Sequence, residues 1–277
     1  MSHLLLRAGT WSGVAPSSAG WRYLTFTVER LARAVERETG GEETAIVLLA
    51  GACSIRADGR TFELGPRPSV FESLPWTLYL PRETRFWLEG EAELAFASAP
   101  CERRLEPVLQ TPEEVDVEVR GAGNATRQVN HIVTPEFPAD RLLVVEVYTP
   151  GGNWSSWPPH KHDVDAMPGE AVLEEIYYYR APAREAFGVQ RLYSPARGLD
   201  LTATVRAGDL LLVPYGYHPF CAAPGYDFYY LNALAGEHHS MAASDDPDLA
   251  WVRSSWDEVD RDPRVPLVTA ASRSEGR

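Results

Sequence analysis

Cysteine is scarce in this chain. Cys53, Cys101 and Cys221 stand far apart in 277 residues and form no C-x-x-C pair. That spacing argues against a disulfide framework and against a cysteine-based zinc site, and it fits a reducing compartment. Positive charge is also short: 26 Lys and Arg against 39 Asp and Glu give a formal net charge of -13. With no basic cluster to reverse the balance locally, a phosphate backbone would be repelled, which argues against a nucleic-acid partner. Long apolar runs are missing too, since nothing approaches the roughly 20 residues of a spanning helix. The opening MSHLLLRAGT carries three adjacent leucines but no signal-peptide core. These absences predict a cytoplasmic protein with no membrane association.

What is present is a turn-rich, globular composition, with 22 Pro, 21 Gly and 44% hydrophobic residues. The length suits two medium domains or one large β fold. Segments such as TAIVLLAGACSIRADGRTFELG, SVFESLPWTLYLP and TRFWLEGEAELAFASA set short runs of β-branched and aromatic residues between Gly, Pro and Asp-Gly turns. The second half repeats the style in RLLVVEVYTPGG, LEEIYYYRAP, GDLLLVPYGYHP and YDFYYLNALAG. The expectation is an all-β chain of two similar domains, residues 1–122 and 123–277, joined near Gly123, with a few short helices. Two stretches carry a helical pattern: VERLARAVERE near residue 28, into which a strand from WRYLTFTV can also run, and DPDLAWVRSSWDEV near residue 246. The terminal ASRSEGR reads as frayed.

The seven histidines are unevenly placed. His160, His162 and His218 lie in β-rich parts of the second half, and none of the β runs of the first half contains one. On a strand, residues i and i+2 share a face, so His160 and His162 can offer two neighbouring imidazoles to one metal. The same H-x-H also suits a partly exposed loop with hydrogen-bonded imidazoles. In LEEIYYYR, Leu173, Glu175, Tyr177 and Tyr179 alternate onto one face, and Glu174, Ile176, Tyr178 and Arg180 onto the other. A carboxylate in so aromatic a strand is costly to bury unless a cation meets it. Gly208-Asp209 then opens a turn before Leu210 to Val213, and Pro214-Tyr-Gly216-Tyr closes on His218. Three imidazoles and one carboxylate suit a divalent Zn, Mn, Fe or Ni, with Zn or Mn first.

The order H-x-H, Glu, then G-x5-P-x-G-x-H resembles the two cupin motifs, carried by His160, His162 and Glu175 and by Gly208, Pro214, Gly216 and His218. The gap before Glu175 is longer than usual and the last histidine sits one residue early, departures that mark a subfamily. The phrases GNWSSWPPHKHD, LEEIYYYR, GDLLLVPYGYHP and YYLNALAG, with SAGWRYLTF, RGAGNATRQV, DPDLAWVRSSW and DPRVPLV, are similar to the 5-deoxy-glucuronate isomerases of inositol catabolism, a bicupin family. The resemblance runs over almost the whole chain. It implies two jelly-roll β-barrels in tandem, the first without metal ligands and the second holding one divalent ion. It also implies Glu175, rather than Glu174, as the ligand.

The reaction so implied is an aldose-to-ketose isomerisation of 5-deoxy-glucuronate to 2-deoxy-5-keto-gluconate, through a cis-enediolate or a hydride shift under the same metal. For the proton transfer, strand parity nominates Tyr177 and Tyr179, with Asn232 orienting a hydroxyl. The substrate carboxylate calls for a cation, and Arg127, Lys161, Arg180 and Arg191 are the candidates. Lys161 should point away from the metal and Arg180 lies on the face opposite Glu175, which leaves Arg127 and Arg191. The tryptophans of NWSSWPP either line a sugar pocket or pack around the prolines. His238-His239 reads as a surface pair, His131 as a core or interface histidine, and the cysteines as small core residues. Two other classes stay open: a metal dioxygenase with the same ligand set, separable by oxygen consumption, and a non-catalytic sugar-binding bicupin, a kind of protein that usually lacks the complete set. Edge strands in two barrels leave room for a homo-oligomer.

Overall fold

The segment Leu142–Thr149, LLVVEVYT, is buried along its whole length in the computed structural model, which describes residues 4–270. A strand covered on both faces needs such a near-continuous apolar run. Its alternate residues divide between two neighbours. Val145 and Val147 face the interior of a C-terminal β-barrel, and Glu146 and Tyr148 reach Arg67 and Val70 of an N-terminal one. Phe228–Gly236 is buried end to end for the same reason, with Tyr229 turned to Glu146 and Tyr230 turned inward.

The C-terminal barrel has two antiparallel layers. In the larger sheet, Leu210–Val213, Glu170–Arg180, Phe228–Gly236, Leu142–Thr149, Arg127–Val133 and Asp116–Arg120 lie side by side. The smaller one orders Trp154–Ser155, Phe220–Ala222, Gly188–Ser194 and Leu199–Val205. The N-terminal barrel is built on two long strands, Glu42–Ala57 and Arg85–Pro100, paired from Glu42↔Pro100 to Ala57↔Phe86 with a bulge between Leu48 and Ala50. Ile46, Leu48, Leu94 and Phe96 fill its interior, and Ala45, Val47, Ala95 and Ala97, one residue out of phase, belong to the core shared with the second barrel. This is the all-β, two-barrel frame expected from the sequence.

One local expectation is corrected and another is met. VERLARAVERE is not helical: Thr25–Leu31 and Val35–Glu38 are strands on the edge of Arg85–Pro100. Pairing with a long neighbour overrides the helix preference of Glu, Arg, Ala and Leu. The second stretch does turn, as a 3-10 helix over Ala250–Glu258. Sheet membership changes within several residues of Gly123. Asp116–Arg120 already belongs to the second sheet, and Leu5–Leu6 crosses over to pair with Leu210 and Leu211. The ASRSEGR terminus lies outside the described residues. No helix among the described residues is long and apolar enough to cross a membrane.

Charged groups clamp the barrels together. Arg67 and Glu146, both with fully buried side chains, form a fork-to-fork pair at 2.8 and 3.1 Å. Glu43 of the first barrel accepts the backbone N–H groups of Asp140, Arg141 and Leu142. Glu174 of the second returns the arrangement, accepting those of Arg22, Tyr23 and Leu24. Arg180 pairs with Glu93.

Candidate metal centre

Glu175 sits mid-strand opposite Val213 and Leu234, with its side chain turned inward beside Tyr177. His162 is anchored by a reciprocal pair of contacts: Leu173 N–H donates to its carbonyl at 3.0 Å, and its own Nδ1 lies 3.0 Å from the Leu173 carbonyl. His218 hangs from the loop after Leu210–Val213, its Nδ1 2.8 Å from the Gly216 carbonyl. Gly216 is needed there, because its φ of +92° is left-handed and a Cβ would stand 2.6 Å from the Tyr193 carbonyl. Asp163 accepts the Gly216 N–H at 3.0 Å, tying the two histidine loops together.

Three ligand atoms converge in this frame. His162 Nε2 is 2.8 Å and His218 Nε2 3.2 Å from the same oxygen of Glu175, and all three residues are buried. Atoms each about 2 Å from one ion stand roughly 3 Å apart, so the spacing suits a divalent cation. The donor chemistry agrees. With both Nδ1 atoms engaged by backbone carbonyls, both Nε2 atoms are directed at the carboxylate, the second layer of contacts typical of metal-bound histidines. Burial pushes the His218 pKa down to about 3, outweighing the nearby Glu175 charge, so the ring is neutral at pH 7, and its Nε2 finds no hydrogen-bond partner among the described residues. Burial also opposes charge on His162, but the Glu175 hydrogen bond and charge prevail and raise its pKa. A cation at the meeting point would satisfy all three atoms, and the residues therefore fit a metal.

His160 stands beside this cluster and outside it, its ring 4.7 Å from that of His218. Burial, with His162 and Arg127 nearby, pushes its pKa down to about 3. The two histidines belong to no single regular strand: His160–Lys161 pairs with Ser244–Asp245, while Asp163 begins the pairing with Val172. Lys161 points away to Asp163 and Glu170.

A cavity of about 80 Å³ opens beside the ligands. Its wall includes Arg127, Tyr177, Tyr230, Asn232 and Ser156, with Val129, Val145 and Val147 as apolar lining. Tyr177 shares a 2.8 Å hydrogen bond with the Ser156 hydroxyl, and Ser156 holds a left-handed φ of +49°, a backbone state that clusters at functional sites. Burial raises the Tyr177 pKa well above the ordinary phenol, with Glu175 adding to the effect. The Asn232 amide donates to the Ile176 carbonyl at 3.0 Å.

Two nominated residues are not brought to the cavity wall. Tyr179 lies deeper in the barrel, its hydroxyl on Gln190 at 2.8 Å. Arg191 is on the smaller sheet, paired with Asp200 at 3.1 Å and laid over Tyr193. Strand parity says which face a residue takes but not which sheet carries it. Trp154 and Trp157 pack on one another and line no part of the cavity. His131 meets Glu118 at 2.9 Å on the cavity wall, and His238 and His239 contact Asp165 and the Leu142 carbonyl. Sequence reasoning missed Ser156, whose only signal is its place in NWSSWPP, and Met241, which arrives from beyond the last long strand.

Comparison with known proteins agrees with this arrangement. The sequence profile described as the KduI/IolB family matches residues 5–252. The 5-deoxy-glucuronate isomerase of Geobacillus kaustophilus is 44% identical over 260 residues, 92% of this chain and 94% of that protein. The protein of the same name from Bacillus subtilis strain 168 is 37% identical over 246 residues, covering 86% and 91%. Among solved structures, an IolB-like protein from Salmonella typhimurium LT2 superposes with a TM-score of 0.87 at 38% identity, covering 90% of this chain and 99% of that one. The oxalate decarboxylase of Lactobacillus farciminis shares the fold, at a TM-score of 0.60 and 13% identity over 85% of this chain and 84% of that one.

Proposed function

From the premise that the chain belongs to the KduI/IolB family, we propose that it isomerises 5-deoxy-glucuronate to 2-deoxy-5-keto-gluconate in inositol catabolism. The relatives named above carry that activity in their names. The observation that carries the chemistry is the convergence of His162 Nε2, His218 Nε2 and one Glu175 oxygen on a single point. These three residues, with the neutral His160 completing the set, would hold a divalent ion. When bound, the ion would supply Lewis-acid polarisation of the sugar's C1 and C2 oxygens and would offset the charge that develops on them as hydrogen moves from C2 to C1.

The remaining work falls to the chain's own side chains. Arg127 supplies the charge and the planar fork that match a carboxylate. Tyr177, held protonated by burial, is a hydrogen-bond donor rather than a base at neutral pH, and its contact with Ser156 lets a proton pass along the hydroxyl pair at the sugar oxygens. Asn232, its NH2 engaged by Ile176, offers a carbonyl oxygen to a sugar hydroxyl. Val129, Val145 and Val147 keep the wall apolar and water scarce. Tyr179 and Arg191 have no part in this reading.

The test is elemental analysis of protein purified without added metal, followed by NMR of 5-deoxy-glucuronate incubated with it in deuterated water. Bound divalent ion and conversion to the ketose are expected, with deuterium at C1 marking the enediolate route and its absence the hydride shift. Protein that converts the uronate while free of metal would overturn the centre, and a uronate left unchanged by metal-loaded protein would overturn the reaction.

A further inference from the structure

Moving a proton from C2 to C1 needs a base, and most side chains on the cavity wall cannot be one. His160, His162 and Glu175 turn to the metal. Arg120 and Arg127 are donors only. The phenols of Tyr177 and Tyr230 keep their protons at neutral pH, because burial raises both pKa values, that of Tyr230 to about 12. One ionisable side chain on the wall is left over, and it is His131.

Its ring is set as a base has to be. Arg127, Val129 and His131 alternate onto the inner face of one strand. Across four strands Tyr177 pairs with Asn232, Asn232 with Val145 and Val145 with His131, so the imidazole stands in the same inward row as the polar groups that meet the sugar. The ring makes one hydrogen bond among the described residues, from Nε2 to Glu118 at 2.9 Å. Glu118 is gripped in turn by both arms of Arg120, at 2.8 and 2.6 Å. The His131 contact first, and the Arg120 fork after it, hold this carboxyl well below the usual carboxylate range. An ionised carboxylate can only accept, so Nε2 carries the hydrogen and Nδ1 of the neutral ring keeps its lone pair. A base oriented by a third group is the arrangement that proton-transfer chemistry uses repeatedly. The ring also borders a second groove, beside Asp116, Glu136 and Phe137, which gives a proton held on it a way out to water.

We propose that His131 is the catalytic base of the isomerisation and that Glu118 is its positioning residue. Nδ1 takes the C2 proton, the C–H electron pair becomes the C1–C2 double bond, and the aldehyde π pair moves onto the C1 oxygen. The return step puts a proton from Nδ1 on C1, while the C2 hydroxyl proton passes to the C1 oxygen along Tyr177 and Ser156 and leaves a ketone at C2. Nothing is oxidised from outside. His131 and Glu175 line one cavity of only about 80 Å³, so a six-carbon sugar seated on the ligands fills the space between them. The assignment rests on the uronate-isomerase reading and deepens it by supplying the group that moves the hydrogen.

The experiment uses the metal-loaded full chain. His131→Gln and His131→Ala should each lower kcat roughly a thousandfold, inside the usual span of general acid–base catalysis. Metal content, KM for the uronate and the calorimetric affinity for glucuronate should stay at wild-type levels. Added imidazole should restore part of the His131→Ala rate, which a defect of packing alone would not allow. Glu118→Gln, which keeps an acceptor for Nε2, should retain more kcat than Glu118→Ala, with KM alike in the two; equal kcat values overturn the positioning role. In deuterated water the wild-type chain should yield ketose with deuterium at C1. A His131→Ala kcat equal to that of wild type overturns the base, and so does a loss of metal or of glucuronate affinity in step with the rate. Should both His131 variants fail to fold, the isotope result on wild-type protein decides: ketose whose C1 hydrogen comes wholly from C2 overturns the base and leaves the isomerase reading standing. A metal-loaded wild-type chain that leaves the uronate unconverted sinks that reading, and the base with it.

Discussion

The two barrels have the same strand parity and opposite interiors. In the first, the inward positions include Ile46, Leu48, Leu94 and Phe96, which belong to one buried apolar cluster. In the second, the corresponding space holds Glu175, His162, His218 and Tyr177 around a cavity. A β frame therefore does not dictate what it encloses: close-packed aliphatics make a scaffold, and polar groups bought with hydrogen bonds make a site. The first barrel still serves the second. The strands lining the cavity lay their other faces against it, and its Arg67 and Glu43 hold Glu146 and the backbone of Asp140 to Leu142.

The contrast can be broken at four points. His162→Ala should remove bound metal and lower activity on the order of a thousandfold, since a Lewis acid is worth several kcal/mol to the transition state; a variant with full metal content refutes the ligand. Arg67→Met leaves Glu146 buried and unpaired and should cost about 3–5 kcal/mol in urea unfolding, with most of it recovered when Glu146→Leu is added. If the single variant is as stable as wild type, the pair does not clamp the barrels. Ile46→Val in the first interior should cost about 0.5–1.5 kcal/mol and leave metal stoichiometry untouched. Lost metal in that variant would mean that the first barrel is more than a scaffold. Arg191→Ala, which cuts an exposed pair with Asp200, should change stability by no more than about 0.5 kcal/mol and leave KM for the uronate as it is. A raised KM would restore Arg191 to the site.

The β character was legible because its signal is local. LEEIYYYR alternates every second residue, and that alternation separates Glu175, facing the cavity, from Glu174, which holds the backbone of Arg22 to Leu24. The edge strands at VERLARAVERE were harder to read, because Glu, Arg, Ala and Leu favour helix and only the partner strand Arg85–Pro100 decides otherwise. Arg127 and Arg191 look alike in sequence, each on a strand of the second half. The structure separates them by their neighbours: Asp200 stands beside one, and the other lines the cavity with no ion-pair partner among the described residues.

The sequence by itself determined the residue types and their phase: which stretches alternate, where the imidazoles and the carboxylate stand, and that acid outweighs base overall. Tertiary structure alone decided which charges found partners and which stayed buried without one. The reason is physical: a side chain's face follows from a period of two along its own strand, whereas the satisfaction of its charge depends on groups brought near from distant parts of the chain.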